Sequence, residues 1–484
     1  MSAGTLAGKT AFVLAGGGTK GAFEAGAVSY LVEEEGVVPE VITAASAGSV
    51  FAAVLAQART HEELVQRARE LHDDLLAMTS ADLLFGKQPW VAALDGTLFG
   101  RAIDRWVVES TRPPVPGTAV PGTAVAGSAG PGSALGTALD DPPEPRASRG
   151  RSIRMAAQVV RALPNLGKAR RQLRGRTGSL LTLDPLAERL RKGGSGIAPI
   201  DAALVARPGL ELRLATVALG AGVLRYVTED GVLVQSDALT PVPGEAGGPV
   251  DLVDGVIASA SVPMIFPPRP LAGDAYVDGG VVENVPVAAA AALGATRIYA
   301  ILAMPLELPA DDHDFARASA LEVFLRAVGA ISFAERQRTS LMPRLAEGTE
   351  LRVIDPLVDV IGPFDVARGL MLLDLDYGWM RAADVCTDIG DAARRRAAEA
   401  TDAVVVARTQ AWHREEHMWA KGGATPADLA ALRRTKRVVR DALTERKGLG
   451  LPAPLDAEGW WAGYEAHEGD RPPSLPPGLF DAQT

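Results

Sequence analysis

The chain has 484 residues and a formal net charge of −10. That acidic balance excludes general nucleic-acid binding, which needs a basic footprint. With 47% apolar and 22% charged residues the chain reads as globular rather than disordered, and its single cysteine, Cys386, rules out an intramolecular disulfide framework or a cysteine-rich zinc site. Met1 to Thr10 holds one lysine and no apolar centre, so no secretory signal is expected. The apolar runs stay below the ~18 residues that a membrane span needs. A cytoplasmic location is the resulting expectation.

The first predicted element is a short buried strand over Thr10 to Ala15, followed by Gly16-Gly17-Gly18-Thr19-Lys20-Gly21 and a helical pattern to about Glu34. Glycines let the backbone turn sharply and approach a bound group closely. N–H groups next to a helix N-terminus favour negative charge. Gly16-x-Gly18-x-x-Gly21 also matches a dinucleotide-binding fingerprint. That site wants an acid at the end of the second strand. The second strand is predicted over Glu40 to Ala44, which puts Glu40 at the wrong end and Ser46 at the right one. Lys20 is followed by Gly21, so the Gly-Lys-[Ser/Thr] order of a P-loop is missing.

Ser46 lies in Ala44-Ala45-Ser46-Ala47-Gly48, between the second strand and a helical run. A serine on a tight strand-to-helix turn exposes its hydroxyl to a substrate. Read blandly, it is the N-cap of that helix. Asp278-Gly279-Gly280 also follows a strand-like run, and an Asp-Gly pair is often an ordinary turn. Taken together, a serine, a carboxylate and a loop of N–H donors make up the parts for acyl transfer through a covalent intermediate.

Residues 112–150 are rich in Pro, Gly, Ala, Ser and Thr. Such a segment cannot bury enough surface to offset its ordering entropy, and it reads as a linker or an insertion loop. From Arg146 to Arg176 basic residues recur with no acid at all. Ile153, Ala156, Val160 and Leu163 fall on one helical face, with Arg151, Arg154 and Arg161 on the other. Two readings of 151–176 stay open: a peripheral anchor on an anionic membrane, or a lid packed on the domain. Further strands are predicted over Leu210–Gly222, Leu224–Val234, Ile298–Met304 and Leu351–Ile354. Helices are predicted over Ala316–Ser340, Trp379–Glu416 and, from the N-cap Thr425, to Gly448. The tail from Leu449 is rich in Pro and Gly and contains Trp460-Trp461, whose placing stays open.

The glycine loop at 16–21, Ser46 in x-x-Ser-x-Gly one βα unit later, and Asp278-Gly279-Gly280, in that order, resemble the patatin-like phospholipase family. Ala258 to Pro268 and Val281 to Pro286 are similar to the family's flanks around the aspartate. The resemblance implies a three-layer α/β fold with a mixed central sheet, here with a helical C-terminal appendage. The alternation of strand and helix signals from Thr10 to Ala58 supports α/β independently. The implied organisation is a catalytic domain over 8–375, interrupted by the 112–150 insertion and the basic 151–176 segment. A helical region over 376–448 and a tail over 449–484 follow. The implied roles are Ser46 as nucleophile, Asp278 as general base, and an oxyanion hole from Gly16, Gly17, Gly18, Thr19, Lys20 and Gly21. Ala44, Gly48, Gly279 and Gly280 would support the two turns.

The implied substrate is a phospholipid or another lipid ester, and no metal or organic cofactor is called for. A dyad agrees with the histidines: none of the six sits in a turn motif at a strand end. One departure is Ala44, where the family usually has glycine. A non-catalytic lipid-binding or scaffold protein, and an acyltransferase or thioesterase, are the alternative readings, since specificity lives in the pocket rather than the elbow.

Overall fold

The computed structural model describes residues 8–78, 80–92, 95, 179–194, 198–308, 314–420 and 423–454. The 112–150 insertion, the basic 151–176 segment and Trp460-Trp461 lie outside the described residues. Among those described, the core elements follow one another as strand β1 (Lys9–Leu14), helix α1 (Gly21–Glu33), β2 (Val41–Ala44), α2 (Ala47–Leu55) and α3 (His61–Ala77). Then come β3 (Glu211–Ala218), β4 (Val223–Thr228), β5 (Leu233–Val234), α4 (Leu252–Ser259), β6 (Arg269–Leu271) and β7 (Asp274–Asp278). The chain continues through α5 (Val287–Ala292), β8 (Ala295–Ile301), α6 (Ser332–Ser340) and β9 (Glu350–Ile354). It closes with α7 (Arg368–Cys386), α8 (Asp391–Ala420) and α9 (Pro426–Gly448).

One mixed sheet holds the nine strands, in the order β9-β8-β1-β2-β3-β4-β5, with β7 on β3 and β6 on β7. The run from β9 to β3 is parallel; β4, β5, β6 and β7 pair antiparallel. Parallel strands covered on both faces read as continuous apolar runs, and β1 shows why. Phe12 and Leu14 face a core shared with α1, α2 and α7, while Ala11, Val13 and Ala15 face a second core shared with α5 and β8. Helices therefore cover both faces, in three layers, and a helical region follows at the C-terminus.

Two helices differ from their predicted spans for local reasons. Helix is predicted from Ala316, but it starts at Ala320. The Ser319 hydroxyl accepts the Glu322 N–H while the Ser319 N–H reaches the Glu322 carboxylate, a capping box that fixes the start. The next turns, Leu325–Ile331, are π-helical around Gly329, before α6 resumes at Ser332. The helix predicted over Trp379–Glu416 is two helices. Gly390, at φ +74°, lies in the break between α7 and α8. Helix α7 packs on α1, with Tyr377 edge-on to Phe23 and Trp379 edge-on to Tyr30. It runs through position 375, so core and C-terminal region share it. The start of α9 is as read from sequence: Thr425 and Asp428 form a capping box ahead of Pro426.

Candidate active site

The sheet register brings Ser46 and Asp278 together. One edge of β3 pairs first with β2 and then with β7. Strand β2 ends with Ala44 opposite Leu214, and β7 ends with Asp278 opposite Thr216. The two strands run toward each other along that edge, and only Ala215 separates their last partners. At about 3.3 Å per residue the gap is roughly 7 Å. Ser46 turns out of it from one side and Asp278 closes it from the other.

The turn at Ser46 is strained in the way a nucleophile elbow requires. Its φ is +52° and its ψ −131°, a region that L-residues rarely occupy. Ser46 occupies the N-cap position of α2, as the bland reading has it, but its hydroxyl caps no helix N–H. Its backbone N–H instead donates to the Ser259 hydroxyl (3.2 Å). Ser259 also donates to the Ala215 carbonyl (2.7 Å) and pairs with the Ser49 hydroxyl (2.7 Å). A side chain from α4 therefore pins the elbow to the gap residue of β3. The turn forms with alanine at position 44, fully buried between Leu14 and Leu214. Gly48 is the stricter position: a β-carbon there would come within 2.5 Å of the Ala15 carbonyl.

Asp278 is 3% exposed. One carboxyl oxygen accepts the Gly280 N–H at 2.7 Å, and the other makes no well-formed hydrogen bond. Burial pushes the carboxyl up to about 7; the nearby Ser46 hydroxyl and the Gly280 N–H offset only part of that. A group poised near neutrality suits proton exchange with a serine. Gly279 is forced by packing, since a β-carbon there would meet the Ala215 carbonyl at 2.4 Å.

The glycine loop runs past both groups. A β-carbon on Gly16 would stand 2.3 Å from the Ser46 β-carbon and 2.6 Å from Asn284 Oδ1. Gly18 has φ +63°, and the Pro363 carbonyl fills the place a side chain would take. The Gly16 N–H donates to Asn284 Oδ1 (3.1 Å) and the Thr19 N–H to the Pro363 carbonyl (3.0 Å). The Gly21 N–H turns back to the Gly18 and Thr19 carbonyls. Among the described residues Gly17 and Gly18 have no such partner, which leaves them as the open donors. The Thr19 hydroxyl donates to the Gly362 carbonyl (2.7 Å), and Lys20 Nζ pairs with Asp359 (2.6 Å). Thr19 and Lys20 thus tie the loop to the segment between β9 and α7. Lys20 is buried and turned toward that segment. Behind the loop, Glu24 of α1 and Asp374 of α7 are fully buried, and burial raises both carboxyls well above their usual range.

Three of the described histidines have partners outside this site. His61 bonds the Val32 carbonyl, His72 lies beside Asp73, and His413 beside Glu416. Among the described residues no cluster of three or more His, Cys, Asp or Glu side chains could hold a metal ion. Two site residues carried no signal of their own in the sequence reading, Ser259 beneath the elbow and Asn284 against Gly16. Both lie in stretches where the resemblance extended beyond the three motifs, which was the available clue.

A family model described as patatin-like phospholipase matches residues 12–291. Among solved structures the chain is similar to VipD from Legionella pneumophila, at 14% identity over 96% of this chain and 89% of that one, with a TM-score of 0.29. A comparison with curated proteins found no match. The family match takes in the glycine loop, the elbow and the acid loop and spans more than half of the residues, so this chain belongs to the patatin-like phospholipase family.

Proposed function

We propose that the protein is a serine hydrolase of lipid acyl esters, of phospholipase A or lysophospholipase type, working through a Ser46–Asp278 dyad. The observation that carries this reading is the meeting of a strained serine and a buried, partnerless carboxyl oxygen along one edge of β3, beside two open backbone donors. Asp278 takes the Ser46 proton as Oγ bonds to the acyl carbon. The oxyanion is held by the Gly17 and Gly18 N–H groups. As the acyl–oxygen bond of the substrate breaks, Asp278 returns the proton to the leaving alcohol. Water then attacks the acyl-serine, gives its proton to Asp278, and releases the fatty acid with Ser46 re-protonated. A preorganised N–H donor at such a site is worth roughly 3–4 kcal/mol of barrier.

Among the described residues no helix is long and apolar enough to cross a membrane. Contact with anionic membrane through 151–176 belongs to the same reading. Equal binding to anionic vesicles with and without 112–176 counts against it.

The test of the substrate class is a panel of phospholipids, lysophospholipids and short-chain esters with purified protein and its Ser46→Ala variant. Release of fatty acid by the first and not the second supports the reading. Transfer of the acyl group to an added alcohol in preference to water indicates an acyltransferase instead. Folded protein inert on every ester and thioester supports the non-catalytic alternative.

A further inference from the structure

We propose that Asn284 is a positioning residue that locks the oxyanion loop to the acid loop, with Gln337 fixing which way its amide faces. The inference rests on the dyad reading above and adds a residue to it. Asn284 is buried, four residues after Gly280. Its Oδ1 accepts the Gly16 N–H (3.1 Å), and its Nδ2 donates to the Gly16 carbonyl (3.2 Å). One side chain thereby satisfies both polar groups of a single glycine, as a neighbouring strand would. That glycine is the one whose missing side chain leaves room for Ser46. A β-carbon on Gly280 would also meet Asn284 Oδ1, at 2.8 Å, and Asp278 Oδ1, at 3.0 Å. The Asn284 amide therefore sits where the nucleophile, the acid loop and the glycine loop converge.

The polarity of the chain of amides is set from outside. The Met304 carbonyl can only accept, so Gln337 turns Nε2 toward it (3.3 Å) and presents Oε1 to Asn284 Nδ2 (3.4 Å). Asn284 must then offer Oδ1 to the Gly16 N–H. With the peptide units on both sides of Gly16 held, the Gly17 N–H, which shares a plane with the Gly16 carbonyl, and the Gly18 N–H after it are held ready rather than left to reorient during reaction. A carboxylate at 284 would fit the space and accept from Gly16. It could not donate to the Gly16 carbonyl or to Gln337, and it would put a second negative charge beside Asp278. Of the other described acids nearby, Glu283 is engaged by the Tyr226 hydroxyl, Asp359 pairs with Lys20, and Glu24 and Asp374 lie buried behind the glycine loop.

The experiment compares Asn284→Ala, Asn284→Asp and Gln337→Met in the full chain by two readouts. One is the pH profile of kcat and kcat/KM on a lipid ester. The other is amide hydrogen exchange over residues 14–22. Expected for Asn284→Ala is a kcat loss on the order of 10²-fold, the size seen when an oxyanion donor is lost, with KM little changed and exchange in 14–22 faster than in the rest of the folded chain. Expected for Asn284→Asp is an acidic limb moved upward by on the order of one pH unit, since a like charge disfavours the ionised base. Gln337→Met should show the Asn284→Ala pattern in weaker form.

Unchanged exchange and kcat in folded Asn284→Ala overturns the proposal, as does an unmoved acidic limb in Asn284→Asp. If the unaltered protein hydrolyses no ester, the functional reading fails. Hydrogen exchange alone then decides the clamp: faster exchange in Asn284→Ala supports it and unchanged exchange overturns it.

Discussion

Ser46 and Asp278 stand at the facing ends of two strands that share one edge of β3, with Ala215 alone between their strands' last partners, Leu214 and Thr216. The pair is thus set by sheet register. A slip of one residue would turn every side chain of the slipped strand to the other face. Backbone pairing therefore sets how far apart Ser46 and Asp278 stand.

The pH dependence of hydrolysis follows from the burial of Asp278. Its carboxyl is raised to about 7 and must be ionised to accept the serine proton. The rate kcat/KM should therefore rise with pH, reach half its plateau near pH 7, and fall about tenfold per unit below that. A profile whose acidic limb lies near pH 4 contradicts this account of the base.

The same shift has a cost in stability. Between the ordinary carboxylate range and about 7 the folded chain holds a proton on Asp278 that the unfolded chain has released, so stability falls as pH rises. Asp278→Asn should raise the thermal midpoint at pH 8 and leave it nearly unchanged at pH 4, while abolishing hydrolysis. Glu24, fully buried and raised in the same direction, should respond alike. Glu24→Gln is expected to stabilise the protein at neutral pH and flatten its pH dependence. Thermal melts across pH 4–8 check both.

Two glycine positions separate packing from chemistry. Gly48→Ala drives a methyl into the Ala15 and Leu14 carbonyls at the end of β1, at 2.5 and 2.7 Å. It should cost about 1–3 kcal/mol in a denaturant titration. Gly16→Ala meets the Ser46 side chain and the Asn284 amide instead. Its larger effect should be on kcat, seen in esterase assays on the folded fraction.

Strain at Ser46 gives a further prediction. Holding a serine at φ +52° costs on the order of 1–3 kcal/mol. Ser46→Gly relieves that strain, offset in part by the greater chain entropy of glycine. The variant should therefore be inactive and about 1 kcal/mol more stable than Ser46→Ala by chemical denaturation.

Much of this was legible in the sequence, for physical reasons. The buried strand at Thr10 to Ala15 reads as a continuous apolar run because helices cover both of its faces. The three turns at 16–21, 46 and 278 stand out because glycine and short polar residues mark special backbone. What the sequence could not show is long-range pairing. The join of β2 and β7 on one edge of β3 depends on the register of pairs 170 positions apart for β2 and about 60 apart for β7. The commitment of the Thr19 N–H to Pro363, and the inward turn of Lys20 to Asp359, depend on a segment some 340 positions away. The capping box at Ser319 and the break at Gly390 were visible as residues, yet a long helical pattern across each masked them.

The most direct test of the dyad is covalent. The protein is treated with a fluorophosphonate, digested, and the modified peptide identified by mass spectrometry, alongside Ser46→Ala and Asp278→Asn. The account predicts one adduct on Ser46, none in Ser46→Ala, and formation slowed by at least about 10²-fold in Asp278→Asn, the contribution of a general base. An adduct on another residue, or labelling of Ser46 at full rate without the Asp278 carboxylate, contradicts it.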